Sequence, residues 1–252
     1  MSFHDYFSDH SKLYASARPS YPEELFRFVA SIAPARERVW DCATGNGQAA
    51  VGLARYFTAV EATDASDDQI ANAVARPNIT YAVRSAEESG FPPRYFDAVC
   101  VASAIHWFDY ERFYPEVKRV LRPRGVVVAW GYDHLSVSAE FDAEFDRRVE
   151  RVIAPYWPPR KKLLYDGYRD VPFPLERIDP PPIDMHEDWT FDQLMLFVRS
   201  WSGVQRCIAA RGEEFLTAAV VALRSAWGDP TDVRRCKMDL YIIAGTNRPS
   251  NP

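Results

Sequence analysis

The chain has 252 residues, 47% of them hydrophobic and 26% charged, which is material for one large domain or a domain carrying a sizeable insertion. A formal net charge of −5 disfavours a nucleic-acid partner, which would ask for a basic face. No apolar run approaches the roughly 18–20 residues that cross a bilayer, and the opening M-S-F-H-D-Y-F-S-D-H makes no signal peptide. Cys42, Cys100, Cys207 and Cys236 are widely spaced with no C-x-x-C pair, so reduced thiols in a cytoplasmic protein are expected and no metal site is offered.

Residues 2–21 form an aromatic lead that contains Y-A-S-A-R-P-S-Y-P, residues 14–22. Pro19 pushes Arg18 toward extended geometry and Pro22 suits the first turn of a helix. Leu25, Phe28, Val29 and Ile32 then recur at helical spacing over 23–33. Tyr14 and Arg18 are the residues of this lead best suited to touch a ligand; the alternative is an arm that only packs on the surface.

From residue 38 the pattern alternates. A strand at 38–42 runs through Val39 and Trp40 to an acid, Asp41, and a small-residue turn to Gly47 precedes a helix. Helices follow at 46–57, 67–75 and 110–121, and strands at 58–63, 79–83, 96–102 and 125–130. Strands separated by helices of this length imply a parallel sheet with right-handed crossovers, and ligands then bind beyond the carboxyl ends of the strands. Those ends are Asp41–Gly47, Asp64–Ala65, Ser85–Glu87 and Ala102–Trp107.

Past Trp130 the spacing predicts a charged helix at 139–153, an irregular Pro- and aromatic-rich stretch with a strand near 183–189, helices at 191–200, 203–210 and 212–227, and a last strand at 234–245. The expectation is one α/β domain over 1–252: a Rossmann-like, mostly parallel seven-stranded sheet with helices on both faces. Residues 1–33 form a lid and helix, 34–132 a ligand-binding core, 133–230 a cap, and 231–246 the final strand.

The glycine turn has two readings. Gly45-x-Gly47-x-x-Ala50 formally fits a dinucleotide fingerprint with Asp64 as the ribose acid, which would make the chain an NAD(P)-dependent oxidoreductase. Against this, Asp41 would repel a pyrophosphate. An adenosine-containing ligand with a positively charged end answers both acids, Asp64 taking ribose hydroxyls. Asp64 as a mere helix-start acid is the plainer alternative.

Asp41-x-Ala43-x-Gly45-x-Gly47 resembles the first motif of class I S-adenosylmethionine-dependent methyltransferases. Asp64-Ala-Ser resembles the second motif, Ser85-Ala86-Glu87 with F-P-P-R-Y-F-D-A-V the adenine-side loop and fourth strand, and A-I-H-W-F-D the segment after that strand in the small-molecule branch. The lead and S-W-S at 200–202 are similar to trans-aconitate methyltransferases. The resemblance implies S-adenosyl-L-methionine as cofactor, S-adenosyl-L-homocysteine as product, and direct displacement onto a small-molecule acceptor. Oxygen, as carboxylate or hydroxyl, is the favoured acceptor.

It further implies that Asp41, Ala43, Thr44, Gly45, Asn46 and Gly47 line the amino-acid end, with Tyr14 and Arg18 reaching it from the lead. Asp64 and Ala65 would meet the ribose, Gln69 the ribose or the adenine, Ser85, Ala86 and Glu87 the adenine, and Ala102 and Ser103 would also bind the cofactor. Glu87 on a solvated face is the plainer alternative. His106 is either a general base or a residue that only shapes the pocket, and Trp107, Trp157 and Trp201 are candidates to line the acceptor pocket or simply to be core. The strand-four ending A-S-A-I, unlike N-P-P-Y, argues against methylation of DNA bases. A monomer or homodimer is expected.

Two departures stand out. Ala43 occupies the place of a glycine, tolerable if its φ stays negative, and Ser85 occupies the place of an acid. They keep a catalytically inactive cofactor-binding or interaction protein open as a further alternative.

Overall fold

The computed structural model describes residues 18–247; Tyr14 lies outside them. In chain order the elements are α1 (Glu23–Ile32), β1 (Arg38–Cys42), α2 (Gln48–Leu53), β2 (Ala59–Asp64), α3 (Asp67–Ala71), β3 (Ile79–Val83), β4 (Phe96–Ala102), α4 (Tyr110–Val120) and β5 (Leu121–Ser136). After α5 (Ala139–Phe145) come a π-helical turn at Asp146–Glu150 and α6 (Arg151–Ile153). Then follow α7 (Lys161–Tyr165), β6 (Glu176–Ile178), β7 (Met185–Trp189), α8 (Phe191–Arg199), α9 (Ser202–Arg211), α10 (Glu214–Trp227) and β8 (Arg234–Thr246).

Contacts gather these elements into two units. The sheet unit comprises Tyr21–Tyr132, Leu163–Ile183 and the chain from Leu240; the helical unit comprises Asp133–Lys162, Asp184–Asp239 and the segment ending at Ser20. Strand order is β3-β2-β1-β4-β5-β8-β6, with β7 also paired to β8. The pairs from β3 through β5 are parallel, and those of β6 and β7 with β8 are antiparallel. Among the described residues the sheet therefore has eight strands where seven are expected. The extra one, β6, is a three-residue E-R-I piece too short to show a period in sequence.

Chain order reverses between β1 and β4, and Asp41 sits opposite Cys100 in that pairing. This is the crevice at which open α/β sheets take their ligands. Its floor is rigid. Trp40 is fully buried, packs against Phe91 and Phe96 at ring-centroid distances of 5.6 and 5.9 Å, and donates from its indole to Thr63 at 2.8 Å. Burial of such a ring contributes about 2–3 kcal/mol. On one side, α1 lays Leu25, Phe26 and Val29 into the core, and Gly52 of α2 leaves room for the Phe26 ring, which would lie 2.1 Å from an added Cβ.

In the helical unit Trp227 packs on Phe141 and Phe191 at 5.6 and 5.7 Å. A single helix is expected over 139–153, but the chain widens into the π turn at 146–150. The Arg151–Asp146 ion pair spans five residues, the π spacing, which a reading at 3.6 residues per turn passes over. Helix α2 starts at Gln48 instead of 46 because Gly47 is left-handed (φ 89°), and β5 extends from 121 to 136, well beyond the expected 125–130. Among the described residues no helix is long and apolar enough to cross a membrane, and no cluster of His, Cys, Asp and Glu could hold a metal ion.

Candidate functional site

The turn after β1 is held by backbone and acid together. Thr44 N–H donates to the Thr63 carbonyl at 2.8 Å, and Gly47 N–H closes the turn onto the Thr44 carbonyl at 3.0 Å. Gly45 and Gly47 are left-handed, at φ 56° and 89°. At Gly47 a Cβ would lie 2.1 Å from the Tyr81 hydroxyl, so glycine is required for both space and backbone. Gly45 faces more open surroundings, the Gln69 side-chain oxygen being 3.6 Å from an added Cβ.

Ala43 is left-handed too, with φ 56°. The condition under which alanine is readily tolerated, a negative φ, is therefore not met. The turn keeps the shape that glycine would give it, and the methyl group bears a strain of about 1 kcal/mol. Its neighbour in the alignment of features, Asp41, is fully buried. One carboxylate oxygen accepts from the Thr44 hydroxyl at 2.5 Å, while Oδ1 is buried without a hydrogen bond. Burial lifts the Asp41 pKa to about 7; the Thr44 hydroxyl and the Ala50 amide pull it down, and the charge of Asp64 pushes it up. A buried carboxylate with an unused oxygen is a site that asks for a cation or a donor.

Asp64, at the tip of β2, uses both oxygens on backbone: Oδ2 accepts from Gly45 N–H and Oδ1 from Ser66 N–H, each at 2.9 Å. It thereby ties the glycine turn to the start of α3. Each carboxylate oxygen has a second lone pair, so this role is compatible with ribose hydroxyls. Ser66 caps α3 by accepting from Gln69 N–H at 3.4 Å, and Gln69 is buried beside Gly45. Ala65 is exposed between them, and Asn46 holds Val74 through its carbonyl at 3.1 Å.

Beyond β3, Ser85 and Glu87 bond each other: the Ser85 hydroxyl donates to Glu87 Oε2 at 2.6 Å and accepts from Glu87 N–H at 3.1 Å. Glu87 Oε1 takes the Asp109 amide at 3.2 Å, and Ala86 is buried between the two polar residues. Ser85 therefore fixes Glu87 instead of replacing an acid.

At the end of β4, Ala102 pairs with Trp130, and Ser103 is left-handed (φ 53°) with its amide bonded to the Trp130 carbonyl and its hydroxyl 3.3 Å from that of Tyr21. His106 lies in the short 3₁₀ turn that follows and is only 3% exposed. Its ring packs on Trp107 at 4.6 Å, and Nδ1 is 3.4 Å from the hydroxyl of Tyr168. Tyr168 and Tyr81 escape the sequence reading. Tyr81 carries only the alternation of a strand, and Tyr168 falls where no period survives.

The structure thus brings Asp41, Ala43, Thr44, Gly45, Asn46, Gly47, Asp64, Ala65 and Gln69 to adjoining strand ends of the sheet unit, with Ser85, Ala86 and Glu87 after β3 and Ala102, Ser103, His106 and Trp107 after β4. Arg18, Trp157 and Trp201 belong to the helical unit. Trp157 and Trp201 are ring neighbours there at 6.2 Å, Trp201 also packing on Phe145 and Phe197, which gives them a part in that unit's core.

A family model described as a methyltransferase domain matches residues 40–129. A protein of Dictyostelium discoideum that carries a methyltransferase name is 31% identical over 229 residues, covering 89% of this chain and 87% of its own length. The chain belongs to the class I S-adenosylmethionine-dependent methyltransferases. A solved structure from Anaeromyxobacter dehalogenans, titled as a type II methyltransferase, shares 39% identity and covers 92% of this chain and 99% of its own, with a TM-score of 0.87. An uncharacterized methyltransferase of Mycobacterium tuberculosis is 36% identical over 113 residues, covering 44% of this chain and 46% of its own. Membership in this family replaces the oxidoreductase alternative. It also agrees with Asp41, whose buried carboxylate suits no pyrophosphate.

Proposed function

We propose that the chain transfers the methyl group of S-adenosylmethionine to an oxygen of a small organic acceptor, a carboxylate or a hydroxyl. The observation that carries the cofactor assignment is the buried, unpartnered Asp41 Oδ1 beside a glycine turn that Asp64 ties to β2. Asp41 favours the cationic end of the ligand, and Asp64 offers lone pairs to the ribose. Gln69 covers the ribose side, and the Ser85–Glu87 clasp holds Ala86 against the adenine. Ala65 and Asn46 complete the contacts at the ribose and amino-acid ends.

Bound cofactor supplies a methyl on a positively charged sulfur, already activated toward an oxygen lone pair. The new C–O bond forms as the C–S bond breaks, and its electron pair stays on sulfur in S-adenosylhomocysteine. A carboxylate needs no base, whereas a hydroxyl would have to pass its proton to a base, for which His106 is the candidate. What remains for the protein is alignment. His106 and Trp107 act at the strand-four end. No nucleic-acid or membrane partner is part of this reading, which is of a cytoplasmic monomer or homodimer.

The test is incubation of purified protein with S-adenosylmethionine and a panel of small carboxylic acids and alcohols, followed by S-adenosylhomocysteine release and mass analysis of the acceptor. Methyl esters or ethers with matching S-adenosylhomocysteine support the reading. Methylated amines or thiols alone would overturn the oxygen assignment. Cofactor bound without turnover of any acceptor would favour the inactive binder.

A further inference from the structure

Tyr168 combines three features that a space-filling aromatic does not need. Its side chain is fully buried, its backbone is left-handed at φ 59°, and its hydroxyl sits 3.4 Å from His106 Nδ1. A left-handed tyrosine costs about 1–2 kcal/mol, and such residues persist where the surroundings over-determine them. Two glycines accommodate it. Gly167 just before it is also left-handed, at φ 68°, and a Cβ on Gly131 of β5 would lie 2.5 Å from the Tyr168 hydroxyl. Packing alone would be served by phenylalanine. A Cβ on Gly131 would also meet Leu164 Cδ1 at 2.7 Å, so the space there serves the Tyr168 hydroxyl and the Leu164 side chain together.

The partner atom matters. Neutral imidazole has one donor and one acceptor nitrogen, and whatever bonds Nδ1 decides the state of Nε2. A phenol is the better donor and an imidazole nitrogen the better acceptor, so the favoured arrangement has Tyr168 O–H donating to Nδ1. The proton of His106 then resides on Nε2, which becomes a donor and has no lone pair with which to take a proton.

We infer that Tyr168 is a positioning residue that locks His106 as an Nε2–H donor, so that His106 holds an already ionised oxygen acceptor, a carboxylate, and does not deprotonate a hydroxyl. The inference deepens the proposed function and rests on it for the nature of the acceptor. It divides the two acceptor types left open there. A carboxylate presents one oxygen to the donor and the other to the methyl group, with no proton to remove, whereas an alcohol would meet a histidine unable to act as base. Trp107 packs on the imidazole at 4.6 Å and restrains the ring as well.

The test reads the tautomer directly and needs no acceptor. Ring ¹⁵N–¹H correlation spectra at pH 8 assign His106 among the five histidines by its loss in His106→Gln. Wild type should show the proton on Nε2, and Tyr168→Phe should shift the ring to a mixture or to Nδ1–H. Gly131→Ala, which displaces the hydroxyl, should do the same if Tyr168→Phe fails to fold. A proton on Nδ1 in wild type, or an unchanged tautomer in the folded variants, overturns the inference while leaving cofactor binding, measured by titration, untouched.

Once an acceptor is in hand, glutamine supplies an N–H near the position of Nε2 but cannot act as a base. His106→Ala should then raise KM for a carboxylate acceptor about tenfold, and His106→Gln should raise it less. Loss of kcat by a hundredfold or more in the glutamine variant contradicts a donor role.

Discussion

Asp41 and Ala43 lie two residues apart, and both carry a cost that only a ligand-shaped turn explains. Because burial raises the Asp41 pKa from its ordinary value near 3.8 to about 7, the folded protein holds a proton that the unfolded chain releases between those values. Stability should therefore fall as pH rises from about 4 to about 7, by at most ~4 kcal/mol from this group, and flatten above. Asp41→Asn should remove that slope in urea unfolding and raise stability at pH 8, while weakening cofactor binding about tenfold or more. Ala43→Gly should add about 0.5–1 kcal/mol by relieving the left-handed strain, net of the entropy that glycine adds to the unfolded chain. A loss of stability in that variant would mean that the alanine methyl has packing value. The presence of the acids was legible from their spacing after apolar strands. The sign of φ at Ala43 was not, because one residue type cannot report the dihedral that its neighbours impose. Ser85 misled in the same way: its partner Glu87 became evident only through the hydrogen bonds.

Among elements, β4 shows how a polar residue inside an apolar strand is put to structural use. Asp97 is fully buried and accepts from Glu37 N–H and Arg38 N–H at 2.9 and 3.0 Å and from Arg122 at 2.9 Å. It lies at the start of its strand, the end opposite the site, so Asp97→Ala should cost about 3 kcal/mol in unfolding free energy with little change in the affinity of the cofactor for the folded fraction. The π turn behaves differently. Glu150 ends it, and burial, reinforced by Asp133 and partly offset by Lys161 and His134, raises its pKa to about 7. As for Asp41, the raised value means stability lost as pH climbs from about 4.5 through 7. Glu150→Gln should flatten that part of the profile in thermal unfolding, and an unchanged profile would place the carboxylate in water. Strands and helices from β1 to β5 could be read from period and punctuation because each crossover repeats the same pattern. The π turn, β6 and α7 could not, since each is three to five residues long and carries no full period.

Over the whole molecule, the sheet order 3-2-1-4-5-8-6 follows from the alternation of strands and helices in the first 130 residues together with the late return of β8. The grouping of contacts into a sheet unit and a helical unit was not foreseeable from composition. Two of the crossings between the units fall within β5 and β8, long strands whose sequences show no break at residues 133 and 239, and another falls within α7 after Lys162. Trp157 and Trp201 illustrate the limit from the other direction: aromatic residues signal burial, but a ring in a core and a ring in a pocket have the same composition. The cofactor site, by contrast, was readable because its chemistry concentrates in short turns. Calorimetric titration with S-adenosylmethionine, S-adenosylhomocysteine and NADH, on wild type and on Asp64→Ala checked for fold by circular dichroism, tests it most directly. Both sulfur nucleotides should bind the wild type, lose at least tenfold in affinity in the variant, and leave NADH without heat. Binding of NADH alone, or sulfur-nucleotide affinity indifferent to Asp64, would contradict the placement of the cofactor at this turn.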